Sequence, residues 1–86
     1  MSKLTDLDRV RLRWRGRRGM LENDLIITRY LDAYEADLDD EDVAVLTQLF
    51  ELSDNDLFDL LLARSEPEGD LDTPRMHKVL GLMRAL

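Results

Sequence analysis

An 86-residue chain with 44% hydrophobic and 36% charged residues has the makeup of one small folded domain, not of a disordered segment. It has no cysteine, so disulfide staples and thiolate metal sites are excluded, and no apolar run approaches the roughly 18 residues of a membrane span. The net charge of −7 is unevenly divided: residues 1–18 hold seven Lys/Arg against two Asp, whereas residues 19–86 hold five against seventeen Asp/Glu.

A chain of this length buries only about 60–65% of the surface it exposes when unfolded, which leaves little room for both a core and an enclosed active-site cleft. The start has no apolar signal core, and Asp6 and Asp8 interrupt its basic run. A cytoplasmic protein is expected, without a secretory or transit segment.

Apolar residues recur at three and four positions, the helical period, and β-branched residues are few. The pattern predicts an all-α fold, a compact bundle of about five short helices forming a single domain over residues 1–86. The first helix runs from about Asp6 to Gly16. Thr5 caps it with Asp8 three residues on, and Leu7, Val10 and Trp14 make its apolar stripe. Arg9, Arg13 and Arg17 fall on another face, and Arg11, Arg15 and Arg18 on an adjacent one. Gly16 and Gly19 bracket the following turn.

The second helix is expected from Gly19 to about Asp37, with Glu22 and Asp24 at the positive end of its dipole. Leu21, Leu25 and Thr28 form one ridge, and Ile27, Tyr30, Leu31 and Tyr34 the next. The acidic run 37–42 reads as a helix start, with Leu38 as staple and Asp39 or Asp40 as N-cap. A calcium loop would need alternating ligands, a central glycine and a distal glutamate, which this run lacks.

The third helix covers about Asp40 to Leu52, with Val43, Leu46, Leu49 and Phe50 inward. Ser53-Asp54-Asn55-Asp56 resembles a capping box with aspartate in the glutamate's place. The fourth helix buries Leu57, Phe58 and Leu61, with Leu60 beside them. Residues 65–70 form the clear loop. Thr73-Pro74 reads as N-cap and first helical residue of a fifth helix, carrying Met76, Val79, Leu80, Met83 and Leu86.

Few residues could carry chemistry. His77 is the sole histidine, and no serine or cysteine is placed to make a triad with it. It reads as a surface or packing residue, and Trp14 and Tyr30 as core, although an aromatic can also anchor an interface. Arg-Gly-Arg-Arg-Gly lacks the strand before it and the Lys-Ser/Thr after it that a phosphate loop requires. No enzyme, no metal and no cofactor site is expected.

Six arginines between residues 9 and 18, beside Trp14, admit three readings. Nucleic acid would meet the phosphate and stacking needs but is opposed by the acidic remainder. Pairing with the chain's own acidic helices is a second. Such surface pairs contribute only ~0–1 kcal/mol each and do not account for so dense a cluster. An acidic protein partner fits best. In Arg18-Gly19-Met20-Leu21-Glu22, the glycine opposes a helix continuing through it by about 1 kcal/mol relative to alanine. It suits either a plain turn or close approach of a partner's backbone, and the residues alone do not choose.

The segment Trp14 to Asp24 resembles the signature of the succinate dehydrogenase assembly factor family, also called FAD assembly factors. The family hallmark Arg-Gly-x-x-Glu is met by Arg18, Gly19 and Glu22, with Trp14, Arg17 and Asp24 matching around it. A second stretch, Leu49 to Leu61, is similar through Asp54, Asp56 and Leu57. The likeness covers most of residues 7–65. Two positions depart: Asn23 stands where the family usually has an apolar residue, which suggests softer packing between the first two helices. Leu60 stands where many bacterial members have tryptophan.

The resemblance implies an all-helical assembly chaperone. It would bind the flavoprotein subunit of succinate dehydrogenase, and of fumarate reductase, and promote covalent FAD attachment to a histidine of that subunit. The FAD would be the client's cofactor, none being held stably by this chain. Arg18, Gly19 and Glu22 would contact the client, joined by Arg11, Arg17 and Asp24. A free monomer with no membrane or nucleic-acid partner is expected. The alternative is a regulatory, antitoxin-like protein-binding module.

Overall fold

In the computed structural model, which describes residues 5–17 and 19–86, four of the five helices begin at a residue whose side-chain oxygen caps the first turn. Thr5 accepts from the Asp8 N–H at the start of α1 (Asp6–Arg15), and Asp39 from Asp42 before α3 (Asp40–Phe50). Ser53 accepts from Asp56 before α4 (Asp54–Leu61), and Thr73 from Met76 before α5 (Pro74–Arg84). The exception is α2 (Leu21–Tyr34): its N-cap is Met20, which has no side-chain oxygen to offer. Short 3-10 turns follow at Glu35–Asp37 and Gly69–Leu71.

The core lies where α2, α3, α4 and α5 meet. Ile27, Tyr30 and Leu31 of α2 pack with Val45, Leu46, Leu49 and Phe50 of α3, with Leu57, Leu60 and Leu61 of α4, and with Met76, Val79, Leu80 and Met83 of α5. Each large apolar side chain fully removed from water contributes roughly 1.5–3 kcal/mol, so this shared cluster is what holds four short helices together. A polar clasp reinforces it. The Arg75 guanidinium of α5 donates to Asp39 and Asp42 at 2.9 Å, with Glu41 at 3.5 Å, and so ties α5 to the start of α3. The bond from Arg75, with the capping bond from Asp42, holds the Asp39 carboxyl down at about 2. Burial, with the Asp42 charge nearby, pushes the Tyr30 phenol up to about 12.

Several expectations are corrected. The second helix starts at Leu21 and ends at Tyr34, because the chain tightens into a 3-10 turn, and the third ends at Phe50. Val43 and Phe58 are half-buried and Leu86 is exposed, the core places nearby going to Val45 and Leu60. Most consequential, α1 is turned the other way round from its apolar stripe. Leu7, Val10 and Trp14 face solvent, as do Leu21 and Leu25 of α2, while the one buried residue of α1 is Leu12. Trp14 is therefore not core.

The reason lies at the end of α1, which packs on α3. A Cβ added at Gly16 would stand 3.0 Å from both Ile27 Cγ2 and Phe50 Cζ, so glycine alone lets the backbone come this close. Arg13 completes the docking by donating to Glu35 at 2.8 Å and Asp32 at 3.0 Å. With Leu12, Gly16 and Arg13 committed to these contacts, the stripe is left outside.

Candidate functional site

The junction between α1 and α2 gathers most of the residues expected to meet a partner. After Gly16 the chain leaves α1, and its N–H closes the helix on the Leu12 carbonyl at 3.0 Å. Gly19 follows, exposed to solvent. A Cβ there would have Asp54 Oδ2 as its near neighbour at 3.6 Å, an ordinary contact. Among the described residues the left-handed glycine is Gly69. No described side chain crowds a Cβ at position 19. Gly19 lies in the bend that joins α1 to α2, so it serves the turn as well as leaving the backbone open to close approach from outside.

The first turn of α2 carries Glu22 and Asp24, and no side chain caps its leading N–H groups. Glu22 is exposed, and no described residue pairs with its carboxylate. Asp24 is half-buried and lines a groove of about 380 Å³ between α1 and α2, together with Val10, Trp14, Arg17 and Thr28. The Arg17 guanidinium lies over the Trp14 ring, 5.0 Å from its centroid. That geometry presents an aromatic plate and a cation as one unit.

Gly19, Glu22, Arg17 and Asp24 are thus brought to one end of the molecule. Arg11 is not: it borders a separate groove with Arg15, Asp8 and Asp40, on another face of α1. Arg18 lies outside the described residues. Of the described arginines of α1 and its C-terminal end, Arg13 pairs with carboxylates of the acidic helices, whereas Arg9, Arg11, Arg15 and Arg17 form no described ion pair. Internal neutralisation therefore does not use up the basic cluster.

Sequence reasoning missed Asn23. It is fully buried, and its Nδ2 donates to the backbone carbonyl of Asp54 at 2.9 Å. It fastens α2 to the first turn of α4 through its Nδ2, while its buried Oδ1 has no partner among the described residues. The two stretches that carry the family resemblance, around Gly19-Glu22 and around Asp54-Leu57, are joined by this bond. A signal was present: Asn23 shares a helical face with Ile27 and Tyr30, so a polar group there must find a partner inside. Trp14 was also misplaced, and its recruitment to the groove follows from the orientation of α1.

The arrangement offers charge and an aromatic surface. Among the described residues no three carboxylate, histidine or cysteine side chains converge to hold a metal ion. His77 hydrogen-bonds Asp72 at 2.7 Å at the exposed start of α5, outside this junction. No helix among the described residues is long and apolar enough to cross a membrane.

The family model described as flavinator of succinate dehydrogenase matches residues 10–84. The FAD assembly factor SdhE of Ralstonia nicotianae is 64% identical over 78 residues, covering 91% of this chain and 82% of that protein. Its namesake in Pseudomonas aeruginosa is 40% identical over 80 residues, covering 93% and 92%. That of Photobacterium profundum is 31% identical over 80 residues, covering 93% and 91%. No solved structure matches the chain.

Proposed function

The chain belongs to the family of succinate dehydrogenase flavinators, and from that premise we propose that it binds the flavoprotein subunit of succinate dehydrogenase through the α1–α2 junction and promotes covalent attachment of FAD there. Fumarate reductase, whose flavoprotein subunit would present the same task, is included in the proposal. The cytoplasm is the proposed place of action, and the free chain is proposed to be a monomer.

One observation carries this reading. Gly19 is exposed in the bend between α1 and α2, a Cβ there would meet only an ordinary contact with Asp54 among the described residues, and it sits between the motif's charged residues. An exposed, uncrowded glycine suits a surface against which another backbone packs. Glu22, unpaired by any described residue, and Arg18 would then make charge-assisted hydrogen bonds to client groups. Arg17 and Asp24, at the adjacent groove, would extend the footprint, and Arg11 would meet acidic client surface on the other face.

The bond-forming chemistry would belong to the client and its flavin. This chain would hold the client in the conformation that aligns its histidine with the flavin. Binding one conformer better than another shifts a population and raises the rate of the step that conformer allows. No cofactor of its own is needed for that role.

The test is co-purification of the client subunit with wild type and with Gly19→Arg. The expected result is loss of the complex with helical circular dichroism and melting temperature unchanged. A Gly19→Arg variant that unfolds would show the glycine to be structural. A variant that still captures the client would remove the junction from the interface.

A further inference from the structure

The outward stripe of α1 is not used by the motif reading, and it is unlike the rest of the surface. Seven large apolar side chains are exposed among the described residues, and five of them fall between residues 7 and 25: Leu7 (56%), Val10 (52%), Trp14 (66%), Leu21 (62%) and Leu25 (46%). Scattered single apolar residues need no explanation, but a concentration on two adjacent helix ridges does. Leu7, Val10 and Trp14 follow i, i+3, i+7 spacing, and Leu21 and Leu25 continue to Thr28 at i+7. Val10 and Trp14 line the α1–α2 groove from one side and Thr28 from the other, so both ridges border the same depression.

Charge selects the occupant. Arg17 stands at the groove with Asp24 also in its lining, Arg11 and Arg15 lie on the next face of α1 beside Asp8 and Asp40, and none of the three arginines forms an ion pair with a described residue. A second copy of the chain in a two-fold contact would set these arginines against their own images, which like-charge repulsion disfavours. Nucleic acid would satisfy the arginines and leave three leucines and a valine against a hydrated polyanion. An apolar segment flanked by carboxylates satisfies both. We infer that the outer face of α1, with Leu21 and Leu25, is a second foothold for the client, seating an acidic segment of the flavoprotein subunit that inserts apolar side chains into the groove. This rests on the client reading above and adds to the motif contact an apolar anchor and the chemistry of what fills it.

The experiment titrates the purified flavoprotein subunit with full-length wild type, Val10→Glu, Val10→Thr and Glu22→Ala, at low and high salt, with melting curves and sedimentation of each. Val10 is half-exposed and on the helix exterior, so its replacement is expected to leave melting in place. Val10→Thr, nearly isosteric, guards against a misfolded glutamate variant. The expected result is at least a tenfold loss of affinity for Val10→Glu, the effect of removing a binding hot spot of about 1.4 kcal/mol, and a smaller loss for Val10→Thr. Wild-type affinity should also fall with salt.

If both Val10 variants bind as wild type while Glu22→Ala does not, the foothold is wrong and the client reading survives. If wild type itself fails to bind the subunit, the client reading falls and takes the foothold with it. Salt-independent binding would overturn the acidic character of the segment. A wild-type dimer that Val10→Glu converts to monomer would make the occupant a second copy and overturn the inference.

Discussion

Asn23 of α2 donates its side-chain amide to the backbone carbonyl of Asp54 at 2.9 Å, across 31 positions of sequence. The bond fixes the turn that carries Glu22 against the capped start of α4. Gly19 lies within reach of the same residue, its added Cβ 3.6 Å from Asp54 Oδ2. The proposed interaction surface is therefore a seam between two elements and not a free loop.

Replacing Asn23 by alanine is expected to lower stability by about 1–3 kcal/mol, the range for losing a buried hydrogen bond and its side-chain packing. Urea unfolding at neutral pH measures it. Client affinity should fall in the same variant, because the turn bearing Glu22 loses its support. An unchanged unfolding midpoint would mean that the bond contributes nothing to holding the seam.

The two glycines of the junction should separate cleanly. Gly16→Ala forces a methyl within 3.0 Å of Ile27 and Phe50. Overpacking of that kind typically costs about 1–3 kcal/mol. Gly19→Ala meets only ordinary contact, and stability is expected to stay within about 0.5 kcal/mol of wild type, as for other surface changes. Thermal melts of the pair check the contrast, and equal destabilisation would contradict it.

Ala63 occupies the left-handed region at φ 59°, just after α4, where the Arg64 N–H reaches back to the Asp59 carbonyl at 2.8 Å. A non-glycine residue there is strained by roughly 1–2 kcal/mol, partly offset in a glycine variant by added freedom of the unfolded chain. Ala63→Gly is expected to stabilise by about 0.5–1 kcal/mol, a rise of roughly 2–8 °C in melting temperature for a domain of this size. A fall in melting temperature would contradict the strain.

The Arg75 clasp sets an acid limit. Its hydrogen bond to Asp39 draws that carboxyl from 3.8 to about 2. The folded state therefore holds the proton more weakly than the unfolded state does. The stabilisation is fully present above about pH 4 and is lost as pH falls toward 2. Arg75→Gln should flatten this part of the stability–pH curve as well as lower its plateau. Denaturant melts at intervals between pH 5 and 2 provide the reading, and parallel curves would contradict the assignment.

Local signals in the sequence were enough for some elements. Thr73-Pro74 marked the start of α5 because a cap and a proline at the first helical position act within one turn. Thr5 was readable as a cap for the same reason, and Asp39 as one of two candidates with Asp40. The orientation of α1 was not readable. Its apolar stripe and its true core face compete on one short helix, and the choice is made by Gly16 meeting Ile27 and Phe50. No local period encodes that contact. The motif residues Gly19 and Glu22 were visible through family resemblance. The bond beneath them was not, because it joins residues whose pairing exists only after the chain has folded.

The central claim is that this chain promotes flavin attachment from the α1–α2 junction. The most direct measurement co-expresses the flavoprotein subunit with no partner, with wild type, and with Glu22→Ala, and reads covalent flavin by in-gel fluorescence. The account predicts fluorescence that rises with wild type and returns to the partner-free level with Glu22→Ala, at equal amounts of folded protein. Equal fluorescence in all three lanes would contradict it.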